Sequence, residues 1–314
     1  MDHQPLRGLV AAPHTPFDSA GNLLLEVVER QAEALRREGV GAAFVGGSTG
    51  EFASLTHDER DVLAKRWLEV GRSVGLRVIV HVGGTAVEAG AELARRARAA
   101  GAETIAALAP FYHRPRDADE LLACCRTYAA GAPDAAFYYY DIPALTGITV
   151  SLVEFATRAR QQIPSLVGIK HTSSDLVALQ QCLAIDGLDV LHGNDETLLA
   201  GLALGVRGAV GSTYNLAPGV YLRLAAAFAR GDLDAARQEQ RRSIALVHTL
   251  AARGYMAAAK ATMVELGIDI GPPRLPHAGL DAAARAALRE ELQAIGFFDW
   301  RTADELAACG GADW

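Results

Sequence analysis

Short apolar segments of β type alternate with amphipathic helical stretches eight times between Gly8 and Asp232. Continuous apolar strands that are separated by helices are typical of a parallel sheet that is covered on both faces. Eight consecutive units favour a closed barrel over a doubly wound sheet. We therefore predict an α/β fold, a (β/α)8 TIM barrel. The apolar segments are centred near Leu9, Phe44, Ile79, Ile105, Tyr138, Ile169, Leu191 and Val210.

The strand pattern stops after Asp232, and only helical periodicity continues from there to about Ile295. One interruption, at Gly271-Pro272-Pro273, divides this helical part. We predict a barrel over residues 1–232 and a C-terminal helical extension over residues 233–314. The extension is expected to pack on the barrel or to build an oligomer contact.

Composition narrows the classes of partner. The net charge of −7 and the pI of about 5.7 argue against nucleic acid or an anionic membrane as a partner. No apolar stretch reaches transmembrane length, and the first residues, MDHQPLRG, lack the apolar core of a signal peptide. The four cysteines show neither a disulfide nor a zinc pattern. We expect a cytoplasmic protein with reduced thiols that acts on a small molecule.

Lysine is rare in this chain: of 30 basic residues only Lys65, Lys170 and Lys260 are lysine. Arginine stays protonated in proteins, whereas a desolvated lysine can lose its proton and act as a nucleophile. Lys170 lies in the apolar strand segment LVGIKHT, at the end where a Schiff-base enzyme needs its amine. The structural alternative is a lysine that pairs with a carboxylate at a strand end. Lys65 is expected on the surface and Lys260 half-buried.

The active site of a (β/α)8 barrel lies at the carboxyl ends of its strands, and here several of those ends are polar. The second segment runs into Gly46-Gly47-Ser48-Thr49-Gly50-Glu51, whose hydroxyl and N–H groups can hold a carboxylate. A plain turn that caps the next helix is the alternative. In the fifth segment, alternation puts Tyr138 and Tyr140 on one face and Tyr139 in the core. Tyr140 could move a proton beside Lys170.

The remaining strand ends add further polar groups. Thr172 shares a face with Lys170, whereas His171 points outward and is expected to be structural. Asp195 and Glu196 offer carboxylates to the hydroxyl groups of a polyol, although Asp195 could instead cap the helix that follows. The eighth segment ends in Gly211-Ser212-Thr213-Tyr214-Asn215 and the fourth in Pro110-Phe111-Tyr112-His113.

These residues resemble one known family, the pyruvate-dependent class I aldolases that include dihydrodipicolinate synthase and N-acetylneuraminate lyase. The resemblance runs from about Leu9 to Pro276 and rests on GGSTGE, YYDIP, GIKHT and GPPRLP. Within the family, FYYYDIPALTG, GNDE and AVGSTYN are most similar to members that cleave sialic acid. The resemblance implies reversible cleavage of N-acetylneuraminate to N-acetylmannosamine and pyruvate, without a metal or other cofactor.

Roles for individual residues also follow from the resemblance. Lys170 would form the Schiff base with the pyruvate carbonyl, and Tyr140 would exchange the proton of the hydroxyl next to the breaking bond, with Thr172 nearby. Ser48 and Thr49 would hold the pyruvate carboxylate.

The N-acetylmannosamine portion would contact Gly193, Asp195, Glu196 and Ser212. Tyr112 corresponds to an aromatic residue that family members present across a subunit contact, which implies a homotetramer. We therefore count Ser48 and Tyr112 with the catalytic residues.

The sequence departs from the family pattern at a few positions. Synthases usually carry an arginine just after the Tyr-x-x-Pro segment, where this chain reads Ala144-Leu145-Thr146-Gly147. Asn194 stands where lyases vary. Tyr255 or Met256 falls near a position where some lyases place an aromatic residue against the sugar, and the sequence leaves open which of the two it is.

Three alternative functions remain at this point. The first is another pyruvate aldolase, either dihydrodipicolinate synthase or an enzyme for a 2-keto-3-deoxy sugar acid. The second is a class II aldolase with a metal on His81, His192, Glu51 or Asp195, which the absence of a recognisable ligand spacing disfavours. The third is a binding protein without turnover, which the presence of both Lys170 and Tyr140 disfavours.

Overall fold

The computed structural model describes residues 4–302, and within them eight parallel strands close into a barrel. Each strand pairs with the next along the chain, and the last pairs with the first. The prediction of a (β/α)8 barrel is confirmed. The strands are β1 Gly8–Ala11, β2 Ala42–Val45, β3 Arg77–His81, β4 Thr104–Leu108, β5 Ala136–Asp141, β6 Leu166–His171, β7 Asp189–His192 and β8 Gly208–Gly211.

Helices connect the strands and cover the outside of the barrel. A capping box starts the second helix, because Glu59 N–H donates to Thr56 Oγ1 at 3.2 Å and Thr56 N–H donates to Glu59 Oε2 at 2.8 Å. The barrel helices are α1 Val27–Arg37, α2 His57–Val74, α3 Val87–Ala99, α4 Ala118–Ala130, α5 Pro143–Thr146, α6 Leu152–Gln162, α7 Leu176–Leu183, α8 Leu198–Leu204 and α9 Pro218–Ala229.

The C-terminal extension is helical, as predicted, and α10 packs along α9. Its described helices are α10 Leu233–Ala251, α11 Tyr255–Glu265, α12 Ala282–Ala294 and α13 Phe297–Trp300. The last part of the predicted extension, residues 303–314, lies outside the described residues. Within residues 4–302, no helix combines the length and the apolarity that crossing a membrane requires.

Side chains of the strands alternate between two apolar layers. Tyr138 and Tyr140 point into the barrel interior together with Phe44, whereas Tyr139 packs between the barrel and the helices, 4.6 Å from the Phe155 ring centroid. The predicted faces of the three tyrosines are confirmed.

A hydrogen-bonded cluster closes the end of the barrel at which the strands begin. Tyr138 Oη donates to Asp189 Oδ2 at 2.6 Å, and the Leu6 N–H donates to the same oxygen at 2.9 Å. Arg7 pairs with Asp189 Oδ1 at 3.1 Å. In the pairing of β5, β6 and β7, Gly168 lies between Tyr138 and Asp189. A Cβ at Gly168 would come closer than 3.0 Å to the Tyr138 ring and to the Asp189 carbonyl oxygen.

This packing predicts that Gly168→Ala destabilises the protein. The new methyl group has no free space, so we expect the free energy of unfolding to fall by about 1–3 kcal/mol, the usual cost of overpacking. Gly41→Ala is the matched control, because a Cβ there meets only the Leu9 carbonyl oxygen, at 4.0 Å. Thermal unfolding of both variants checks the prediction, and equal midpoints for the two would contradict it.

Candidate active site

Lys170 is buried near the end of β6 and differs from the other two lysines in its surroundings. Lys65 pairs with Asp61 on the surface, as predicted, and Lys260 pairs with Glu51. Lys260 is 1% exposed, so the expectation that it would be half-buried was wrong. Lys170 Nζ instead lies over two aromatic rings, 4.5 Å from the Phe44 centroid and 4.0 Å from the Tyr140 centroid.

Lys170 forms no ion pair with any residue of the described range 4–302. The structural alternative, a lysine that satisfies a strand end by pairing with a carboxylate, therefore does not hold for it. An amine enclosed by aromatic faces beside an open cavity can meet a carbonyl substrate without first leaving a carboxylate partner.

The pairing of β5 with β6 sets Tyr140 directly beside Lys170. The Tyr140 hydroxyl lies 3.3 Å from Ser48 Oγ, so β2, β5 and β6 contribute to one group of side chains. Phe44, at the end of β2, packs against Tyr140 edge-on, with 5.4 Å between the ring centroids. This contact orders the phenol above the amine.

The turn after β2 presents Ser48 and Thr49 to the same space. The Glu51 N–H donates to the Ser48 carbonyl at 3.1 Å, which closes a four-residue turn. Glycine is needed at position 47, because a Cβ there would come closer than 3.0 Å to the Phe44 ring. The turn thus leaves two hydroxyl groups beside Tyr140 and Lys170, a geometry that suits a carboxylate.

A cavity of about 240 Å³ opens at the carboxyl ends of the strands. All the predicted site residues except Tyr112 line it, namely Ser48, Thr49, Tyr140, Lys170, Thr172, Gly193, Asp195, Glu196 and Ser212. Tyr112 lies outside the cavity, on the loop after β4, with 79% of its surface exposed. Within one chain the structure does not bring it to the other site residues.

Asp195 is held by the turn that follows β8 rather than by its own helix. Its Oδ2 accepts hydrogen bonds from Thr213 N–H at 2.9 Å and from Thr213 Oγ1 at 2.5 Å. Its side chain therefore does not act as a helix cap, the alternative that the sequence left open. Burial raises the pKa of Asp195 to about 6, and the bonds from Thr213 oppose this shift. Gly211 leaves room for the carboxyl group, since a Cβ there would overlap Asp195 Oδ1.

Two residues of the extension also line the cavity, Val247 of α10 and Tyr255 of α11. The Tyr255 hydroxyl lies 2.5 Å from Ser212 Oγ, and burial raises the pKa of this phenol. Of Tyr255 and Met256, between which the sequence did not decide, Tyr255 lines the cavity and Met256 does not. Val247 carried no signal in the sequence, because it is one apolar residue on a helix whose orientation only the packed structure reveals.

The histidines near the site have structural partners. His81 Nδ1 lies 2.8 Å from the Gly46 carbonyl oxygen, and burial holds the pKa of its ring well below the ordinary value. His192 Nε2 lies 2.9 Å from Thr197 Oγ1, and burial lowers its pKa to about 4. His171 Nδ1 lies 3.0 Å from Asp141 Oδ2, outside the cavity, in keeping with the structural role expected for it.

The residues proposed for a metal-dependent aldolase are therefore engaged elsewhere. Glu51 pairs with Lys260, and Asp195 accepts both bonds from Thr213. Within the described range 4–302, no three His, Cys, Asp or Glu side chains are grouped so that they could hold a metal ion.

Comparison with known proteins agrees with this geometry. The model of the dihydrodipicolinate synthetase family matches residues 5–295. A curated relative, N-acetylneuraminate lyase of Gallus gallus, is 39% identical over 92% of this chain and 96% of its own length.

Two solved structures are also similar to this chain. N-acetylneuraminate lyase of Proteus mirabilis has a TM-score of 0.91 and 36% identity over 94% of this chain and all of its own. The native N-acetylneuraminate lyase (sialic acid aldolase) of Aliivibrio salmonicida has a TM-score of 0.90 and 37% identity over 94% of this chain and 98% of its own. The chain belongs to the dihydrodipicolinate synthetase family.

Proposed function

We propose that this protein is a class I aldolase that reversibly cleaves N-acetylneuraminate to N-acetylmannosamine and pyruvate. The observation that carries the proposal is Lys170, a buried amine without a carboxylate partner in the described residues, 4.0 Å from the Tyr140 ring and open to the cavity. Relatives named N-acetylneuraminate lyase match nearly the whole chain, which supports this substrate.

Lys170 supplies the covalent step. Its unprotonated amine adds to the C2 carbonyl of the keto acid; with one proton taken up from solvent, water leaves and a protonated imine forms. The imine draws the electron pair of the C3–C4 bond as that bond breaks, which gives an enamine on Lys170 and an aldehyde. Protonation of the enamine at C3 and addition of water at C2 then release pyruvate and restore the amine.

Tyr140 transfers the proton of the C4 hydroxyl. Cleavage of the C3–C4 bond converts this hydroxyl into the aldehyde, so its proton must leave as the bond breaks. The Tyr140 phenol stands beside Lys170, and Ser48 Oγ at 3.3 Å gives the phenol a hydrogen-bond partner. Thr172 follows Lys170 by two residues and also lines the cavity.

The two ends of the substrate require different walls of the cavity. Ser48 and Thr49 bind the carboxylate next to C2 through their hydroxyl and N–H groups. The sugar portion extends along another wall of the cavity, formed by residues that follow β7 and β8, namely Gly193, Asp195, Glu196 and Ser212. Asp195 and Glu196 accept hydrogen bonds from sugar hydroxyls, and we add Tyr255, which reaches this wall through Ser212.

A synthase of dihydrodipicolinate needs a cation for the carboxylate of its aldehyde substrate. In the segment after Tyr140, Thr146 is buried and donates to the Ile142 carbonyl at 3.0 Å, and Leu145 is an exposed apolar residue. Neither residue serves an anionic aldehyde, so this segment favours a neutral sugar as the second product.

The assembly that we propose is a homotetramer in the cytoplasm. Tyr112 is largely exposed on the loop after β4, although aromatic side chains usually bury much of their surface. A second copy of the chain would cover it and bring it to the mouth of the neighbouring cavity. Cys124, Cys125 and Cys182 are free, which suits a reducing compartment.

Trapping of the imine tests the function directly. Incubation with pyruvate and, separately, with N-acetylneuraminate, followed by borohydride, should leave the same three-carbon adduct on Lys170, detectable by peptide mass spectrometry. Lys170→Arg should give no adduct and no turnover, because it keeps the charge but not the nucleophile. Lys65→Arg is the matched control. An adduct from pyruvate alone would retain the aldolase and reject sialic acid, and a lack of both adducts would reject the aldolase.

Tyr140→Phe should separate proton transfer from imine formation. We expect kcat to fall about 10²–10⁴-fold, the usual contribution of a general acid–base group, while the pyruvate concentration for half-maximal adduct formation changes much less. Tyr138→Phe, which keeps a ring at the closed end of the barrel, is the control for loss of a buried hydroxyl. Equal losses of turnover and adduct formation in Tyr140→Phe would assign the phenol to positioning instead.

The raised pKa of Asp195 predicts that the stability of the protein depends on pH. Its folded pKa of about 6 lies above the ordinary value of 3.8, so the protonated form stabilises the fold, and that contribution disappears as the pH rises through 6. Between pH 4 and pH 7, the free energy of unfolding of the wild type relative to that of Asp195→Asn should therefore fall, by no more than about 3 kcal/mol. Thermal unfolding of both proteins across this pH range checks the prediction. A difference that stays constant, or grows with pH, would show that Asp195 is ionised throughout this range.

A further inference from the structure

Glu51 closes the turn that carries Ser48 and Thr49, and its backbone lies in the left-handed region, with φ 54° and ψ 36°. Among residues 4–302 it is the one non-glycine residue with a positive φ. A Cβ makes this conformation unfavourable, so the surrounding contacts must hold it in place. The site turn therefore contains a locally strained residue next to its two hydroxyl groups.

The Glu51 carboxylate is held on both oxygens by the C-terminal extension. Oε1 lies 2.9 Å from Nζ of Lys260, and both side chains of this pair are 1% exposed. Oε2 accepts a hydrogen bond from the Arg274 backbone N–H at 2.9 Å. Lys260 belongs to α11, and Arg274 lies on the loop between α11 and α12. The barrel itself does not supply either partner.

Lys260 and Arg274 are themselves fixed. Lys260 Nζ donates to the Pro272 carbonyl at 3.0 Å and lies 4.4 Å from the Phe17 ring centroid. The Arg274 guanidinium lies over the same ring, at 4.3 Å, and donates to the Ser54 carbonyl at 2.9 Å. Glu51 is thus anchored to a rigid cluster rather than to a flexible surface residue.

The contacts of Glu51 with the extension act on the site through the backbone of the turn. The Glu51 N–H donates to the Ser48 carbonyl, so rotation of Glu51 out of its left-handed conformation would displace Ser48. Two further contacts hold the turn from the barrel side: Thr15 Oγ1 donates to the Gly50 carbonyl at 2.6 Å, and His81 Nδ1 donates to the Gly46 carbonyl at 2.8 Å. The Glu51 contact differs from both because it is ionic.

We propose that Glu51 and Lys260 are positioning residues for carboxylate recognition. Their buried ion pair fixes the left-handed turn and thereby aims the hydroxyl and N–H groups of Ser48 and Thr49 into the cavity. Neither Glu51 nor Lys260 lines the cavity, so both act through the turn. The inference rests on the proposed function, since it concerns the carboxylate of the keto acid substrate.

Two carbonyl probes separate this role from a general effect on the fold. Pyruvate carries the carboxylate that the turn would recognise, whereas acetone forms an imine with an amine but has no carboxylate. Borohydride trapping on Lys170 is measured as a function of the concentration of each probe. Acetone reports the access and reactivity of Lys170, and pyruvate reports these together with carboxylate binding.

The main variant is Glu51→Gln/Lys260→Met, which removes both charges. Loss of one partner of a buried pair leaves the other charge uncompensated and can unfold a protein, whereas replacement of both is often nearly neutral. Glu51→Gln is the second variant, because it retains Lys260 and the acceptor for Arg274 N–H. Glu239→Gln is the matched control: Glu239 is also buried and pairs with Arg223 and Arg242, away from the turn.

In the double variant, the half-saturating pyruvate concentration should rise about fivefold or more, as expected when a hydrogen bond to a charged group is weakened. Trapping with acetone should stay unchanged, and Glu239→Gln should match the wild type with both probes. Glu51→Gln should shift in the same direction, by a smaller factor. An unchanged pyruvate curve, or equal losses with both probes, would overturn the positioning role. Failure of the wild type to form a pyruvate adduct would instead overturn the proposed function itself.

Discussion

The register between β5 and β6 is the constraint on which the site depends. Phe137 pairs with Leu166, but the next residue of β5, Tyr138, pairs with Gly168, so β6 contains one extra residue at Val167. Without this bulge, Tyr140 would face Ile169 and not Lys170. Because side chains alternate between the two faces of a strand, a shift of one residue would also exchange core and cavity positions. The bulge thus aligns the phenol with the amine, and Gly168 makes room for Tyr138 at the closed end.

The C-terminal extension completes the wall of the cavity that the barrel opens into. The eight strands supply the reactive groups, but Val247 and Tyr255 form part of the cavity wall and come from α10 and α11. Residues of α10 also support the part of the wall that contains Asp195: Gln240 and Ser243 donate to the Asp195 carbonyl at 3.2 and 3.0 Å. Barrel and extension therefore fold into one functional unit, although the strand pattern of the sequence suggests a boundary near Asp232.

The sequence predicted best what depends on short-range periodicity. The repeated strand–helix pattern determines the barrel, and alternation within FYYYDI determines that Tyr140 faces inward. The grouping of the polar side chains at the strand ends could also be predicted, because the closure of a parallel barrel brings those ends together. Contacts between residues that are far apart in the sequence could not be predicted. The bond from Thr213 to Asp195 joins the turns that follow β8 and β7, and the choice between Tyr255 and Met256 depends on how α11 is rotated against the barrel. The full burial of Lys260 has the same origin, since an Ala-rich helix gives little indication of which face is covered.

Lys170 and Lys260 show that burial alone does not make a lysine a nucleophile. Both side chains are almost fully enclosed and both lie over aromatic rings. Burial lowers the pKa of Lys260, but Glu51 opposes that shift and favours the charged ammonium. Nζ of Lys260 also donates a hydrogen bond to the Pro272 carbonyl. While it is protonated, this group has no free electron pair that could add to a carbonyl. Lys170 has two aromatic rings where Lys260 has a carboxylate in an ion pair. The difference in partners, rather than in depth, makes one lysine a candidate for covalent chemistry and the other a structural anchor for the turn beside it.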